Sequence, residues 1–154
     1  MDAQTAAREI MALAGIDALR AMMAGKFPPP SIGLTLGFRL VEVAEGYALF
    51  EGEASDRILN PMGIVHGGWA LTLIDSCCGC AGHTLLPPGV GYGTLETKVN
   101  FVRPIRFDSG IVRAEGRVLA HGRTIITAEG KITDTRGKLL AHGTSTCMIQ
   151  RPEK

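Results

Sequence analysis

The sequence predicts an α+β domain in which a mostly antiparallel sheet wraps around one buried helix. Three observations carry this. One stretch, His66 to about Thr84, is apolar nearly all round, as a buried helix must be. Two strand-like runs precede it. Four more follow it, separated by short turns. A sheet with one face on the helix and the other on solvent or a partner satisfies that count. The 154 residues fit a single domain spanning 1–154.

Taken in order, residues from about 3 to 25 read as one amphipathic helix. Ile10, Leu13, Ile16 or Leu19, and Met22 or Met23 recur every three to four residues. Gly25 and Pro28-Pro29-Pro30 stop it. From Ile32 the period changes: Leu34, Leu36, Phe38 and Leu40 alternate, then Val41 and Val43 continue out of phase. Ala44-Glu45-Gly46 reads as a turn, and Tyr47 to Glu53 as the second arm of a hairpin. Ser55 to Ile64 is irregular, with Asn60-Pro61 and Gly63 as breakers. After the buried helix, Pro87-Pro88-Gly89 is a stop. Strands are expected over about 93–102, 110–120, 124–133 and 139–149, with turns at 108–110, 121–123 and 134–137.

Composition narrows the function. Hydrophobic residues make up 45% and charged residues 20%, so the chain can bury a core without disulfides or a metal. The formal net charge of +1 gives no broad attraction to nucleic acid or membrane. Asp2, Arg8 and Glu9 do not make a secretory leader, and no stretch approaches a membrane span. Cys77-Cys78-Gly79-Cys80 lies inside the apolar helix pattern. It is formally a C-x-x-C, but buried thiols there behave as small hydrophobes. Reduced thiols point to a cytoplasmic location.

The informative segment runs from Asn60 to Asp75. Gly67 and Gly68 sit where loop becomes helix. The first amides of a helix have no intrahelical partner and lie at the positive end of its dipole. Glycine there lets a substrate approach the backbone, and such a terminus can hold an oxyanion. The same pair also suits a tight loop-to-helix turn. Asp75 is a carboxylate in the middle of an apolar helix, where an unpaired charge is costly. It shares its face with Thr72, Gly79 and Gly82, a small and slightly polar surface that can admit a ligand or a partner. Gly67 and Asp75 are eight residues apart, or ~12 Å along one helix. A reacting carbon must come within about 3–3.5 Å of its attacking group. One reacting carbonyl meets both groups most simply when they belong to different subunits. A two-fold dimer with two shared sites is therefore expected.

These residues, together with Thr35-Leu36-Gly37-Phe38 and Thr94-Leu95-Glu96 through Asn100-Phe101-Val102-Arg103-Pro104, resemble the phenylacetate-degradation (PaaI-like) branch of the hotdog-fold thioesterases. The resemblance spans nearly the whole chain. It implies a hotdog fold with Thr35 to Phe38 on the first strand, and dimers that often assemble into homotetramers. It implies an acyl- or aryl-coenzyme A substrate, with no metal or redox cofactor. It assigns Asp75 as nucleophile or general base and the Gly67 amide to the thioester carbonyl. Asn60 and His66 would position that carbonyl or the attacking water. His66 can equally be a structural hydrogen-bonder of the loop. Thr94 would supply a hydroxyl to the water, from the subunit that supplies Asp75. Coenzyme A is polyanionic, and Arg103, Arg106 and Arg123, at strand ends or turns, are candidate phosphate ligands. His121-Gly122-Arg123-Thr124 resembles a family turn near the nucleotide.

Two rivals belong beside this reading. A hotdog hydratase or dehydratase would need a paired His and carboxylate, and His66 and Asp75 stand nine residues apart on one helix. A non-catalytic acyl-CoA-binding module would share the fold. Other classes fail on motif. Gly89 to Thr94 lacks the spacing and lysine of a phosphate loop, the four histidines show no metal spacing, and Ser76 has no nucleophile elbow.

Overall fold

A computed structural model describes residues 1–152. The buried stretch forms α4 (Gly67–His83). Around it lie β1 (Phe38–Ala44), β2 (Tyr47–Glu53), β3 (Gly91–Phe101), β4 (Ile111–His121), β5 (Ile125–Thr133) and β6 (Leu139–Gln150). They form one sheet of order β1-β2-β4-β5-β6-β3, and every pairing is antiparallel. α4 packs against all six strands. Its side chains Trp69, Ala70, Leu73, Ile74, Cys77, Cys78 and Ala81 fill the core. The helix lies so close to β4 that a Cβ on Gly116 would stand 2.2 Å from the Cys77 carbonyl oxygen. Only glycine allows that approach.

The out-of-phase valines have a structural cause. Register shifts between Leu40 and Glu42, so Val41 is the extra residue of a β-bulge. Leu40, Val41 and Val43 are all half-buried as a result. A second bulge lies in β3 between Thr94 and Glu96.

Two expectations for the first forty residues are corrected. The helix over 3–25 is two helices, α1 (Ala3–Met11) and α2 (Gly15–Met23). At the break the chain bonds elsewhere: the Gly15 amide donates to Leu86, and the Gly89 amide to Met11. A Cβ on Gly15 would meet the His83 carbonyl oxygen at 1.8 Å, so α2 is pressed onto the end of α4. The strand expected from Ile32 starts only at Phe38. Ser31–Leu36 is a short helix, α3, ended by Gly37 in the left-handed region at φ 69°. Thr35 and Leu36 are therefore helical, not on the first strand. Ile32 and Leu34 are exposed, so their alternation marked no buried face.

Candidate active site

The loop before α4 is built to hold the helix start. Asn60 Oδ1 accepts the Met62 amide at 2.9 Å and the Ile64 amide at 3.3 Å. Gly63 closes that turn at φ 76°, a left-handed conformation that favours glycine. The loop is then tied down from both sides. The Val65 amide donates to Ile105 and the His66 amide to Ile58.

His66 is the N-cap of α4, and its Nδ1 accepts the Gly68 amide at 2.8 Å. That places the neutral ring's proton on Nε2. Gly68, expected at the substrate, thus has its amide taken up by the cap. A Cβ on Gly68 would stand 2.9 Å from His66 Nδ1, so glycine is needed for the cap itself. The Gly67 amide has no acceptor among the described residues. It remains the outward donor at the positive end of the helix. Gly67, His66, Asn60 and Arg103 line one cleft of 330 Å³, with the exposed ring of Phe101 at its edge. That ring lies 3.0 Å from where a Gly67 Cβ would be.

Two turns along α4, Asp75 is half-buried. Thr94 donates to its Oδ1 at 2.9 Å and Thr97 to the same oxygen at 3.3 Å. Residues three apart on a regular strand point to opposite faces. The bulge between Thr94 and Glu96 resets the alternation, and both hydroxyls reach the helix. Sequence reading missed Thr97 because nothing in the letters marks that bulge. Asp75 is absent from the walls of the Gly67 cleft. Within one chain, the amide and the carboxylate stand apart.

The arginines separate. Arg103 reaches the cleft while donating to the Leu139 carbonyl at 2.7 Å. Arg106 is exposed, 3.5 Å from Asp108, and Arg123 is exposed in the β4–β5 turn. Neither lines the cleft. The cysteines are free thiols. Burial, with the Asp75 charge adding to it, pushes the Cys80 thiol up to about 12. Burial also raises Cys147. Thiols held protonated are poor nucleophiles and poor metal ligands. Among the described residues, no group of three His, Cys, Asp or Glu side chains could hold a metal ion.

A six-stranded antiparallel sheet around one long helix, with a free amide at the helix start and a carboxylate further along, defines a hotdog-type thioesterase. The chain belongs to the thioesterase superfamily, whose family model matches residues 62–141. It is a thioester hydrolase. It is 27% identical to the 1,4-dihydroxy-2-naphthoyl-CoA hydrolase of Listeria monocytogenes, over 78% of this chain and 96% of that one. It is 29% identical to acyl-coenzyme A thioesterase 13 of Mus musculus, over 83% and 91% of the two chains. Among solved structures it is similar to a phenylacetic acid degradation-related protein of Ralstonia eutropha JMP134. The TM-score is 0.77 at 30% identity, covering 84% of this chain and 98% of that one.

Proposed function

We propose that the protein hydrolyses acyl- or aryl-coenzyme A thioesters to the free acid and coenzyme A, at sites shared across a homodimer. The observation that carries this is the pairing of a free helix-start amide at Gly67 with a half-buried, hydroxyl-anchored Asp75 that one chain does not bring together. In a two-fold dimer the Gly67 amide of one protomer would hold the thioester oxygen, and Asp75 of the other would act on the carbonyl carbon. β3 suits the seam. It is an edge strand of eleven residues carrying the exposed Leu95 and Phe101, an open template for a second copy. The homotetramer implied by the family resemblance would pair two such dimers.

Asp75 has two routes. As nucleophile it adds to the carbon, expels the coenzyme A thiolate and forms a mixed anhydride that water then opens. As general base it takes a proton from the water that adds. Asn60, with its Oδ1 engaged by the loop, offers Nδ2 to the carbonyl or the water. Arg103 is the cleft's cation for the coenzyme A phosphates. The alternative, a hydratase pairing His66 with Asp75, is less well supported, because His66 Nδ1 is occupied by the cap. The free thiols accord with a reducing cytoplasm.

The test is a thiol-release screen over short, medium, long and aromatic acyl-CoAs. Asp75→Asn and Asp75→Ala are expected to lose on the order of 10²–10⁴-fold in kcat. Retained turnover in both, or hydration of an enoyl-CoA in place of thiol release, overturns the reading.

A further inference from the structure

Ser145 is an unexpected residue where it stands. The inward row of β6 is Ala141, Gly143, Ser145, Cys147 and Ile149, all buried. Ser145 is 1% exposed and carries the row's only hydroxyl. A buried hydroxyl costs free energy unless it is bonded, and alanine would fill this place without that cost.

Its bonds lead to the carboxylate. Ser145 pairs directly across the sheet with Thr97. Ser145 Oγ stands 3.0 Å from Thr97 Oγ1 and can also donate to the Glu96 carbonyl at 3.2 Å. Thr97 Oγ1 in turn lies 3.3 Å from Asp75 Oδ1. Each hydroxyl has one proton, and an ionised carboxylate only accepts. When Thr97 gives its proton to Asp75, its oxygen is free to accept from Ser145. Thr94 donates to the same Oδ1, with Cys147 Sγ 3.9 Å behind it. Both threonines therefore hold one carboxylate oxygen. Asp75 Oδ2 has no partner among the described residues.

We infer that Thr97, backed by Ser145, is a positioning residue. Together with Thr94 it clamps Asp75 Oδ1 and so leaves Oδ2 as the oxygen that meets the thioester carbon or the water. This rests on Asp75 being the reacting carboxylate. The clamp sets the direction of the free oxygen, so its loss lowers kcat and leaves substrate binding alone.

The experiment compares wild type, Thr97→Val, Thr97→Ser, Ser145→Ala and Asp75→Asn in the full chain. Thiol release is read from whichever of hexanoyl-CoA and phenylacetyl-CoA wild type turns over faster, with melting temperatures alongside. Thr97→Val nearly preserves shape and removes only the hydroxyl. It is expected to lower kcat by about 10-fold with KM within about two-fold, the scale of one hydrogen bond to a charged group. Thr97→Ser should restore most of the rate, and Ser145→Ala should cost about three-fold. Should Thr97→Val not fold, Thr97→Ala takes its place against Thr97→Ser. Folded Thr97→Val with wild-type kcat overturns the inference, as does a change in KM alone or an equal loss in Thr97→Ser. Those results leave the hydrolase reading standing provided Asp75→Asn is inactive. An active Asp75→Asn removes both.

Discussion

His83 shows how one side chain can carry a pH dependence outside the chemistry. Its Nδ1 is buried without a partner, and its ring lies 5.6 Å from that of Tyr92. Burial lowers its pKa in the fold. The unfolded chain therefore takes up this proton at a pH where the folded chain still refuses it. Stability from this residue is complete above about pH 6.5, the ordinary histidine value, and declines as pH falls through the folded pKa. The melting temperature should drop on acidification below that point, and His83→Gln should flatten the drop. An unchanged slope in the variant would place the titration elsewhere. Asp75 and Gly67 were legible in the sequence, because a charge in an apolar helix and Gly-Gly at its start are visible in letters, whereas Thr94 and His66 came only with the family resemblance. Thr97 and Ser145 were not legible, because only the bulge and the strand pairing bring them to the carboxylate.

At the scale of elements, glycines let the strands approach α4 closely. Gly116 faces the Cys77 carbonyl, and Gly130 faces Ile74 and the thiols of Cys77 and Cys78. Gly116→Ala would drive a methyl into a carbonyl that cannot rotate away. A loss of about 3 kcal/mol or more in denaturant unfolding is expected, at the upper end for an overpacked core. A loss under 1 kcal/mol would mean that helix and sheet are not held at this spacing. Element boundaries were readable where a single cause set them. The α4 start follows from His66-Gly67-Gly68, and the hairpin from Glu45-Gly46. The α1–α2 break follows instead from bonds to Leu86 and Gly89, far along the chain.

Across the whole molecule, the question is whether two chains complete one site. Proline is tolerated at the first position of a helix and removes the amide, so Gly67→Pro deletes the proposed donor while keeping α4. Gly67→Ala crowds Phe101 in a similar way but keeps the N–H, and serves as the control. Gly67→Pro alone should lose about 10²–10³-fold in kcat. Co-expressed with Asp75→Asn, it should recover measurable turnover. Each mixed dimer then holds one site with both wild-type groups and one with neither. No recovery in verified heterodimers, or full activity in a monomer, sinks the shared site.

The sequence by itself determined the buried helix, the strands around it, and the chemical types at the site. Those depend on the period of apolar residues and on groups whose desolvation is costly wherever they fall. Tertiary structure alone decided that the N-terminal helix breaks and that residues 31–36 turn helical, with the Leu36 carbonyl taken by Trp69 Nε1 and the Gly37 carbonyl by the Glu53 amide. It also decided that Thr97 joins Thr94 on Asp75. Each of those outcomes hangs on a hydrogen bond or a close approach between residues distant in the chain, or on one extra residue in a strand, and neither leaves a period in the letters.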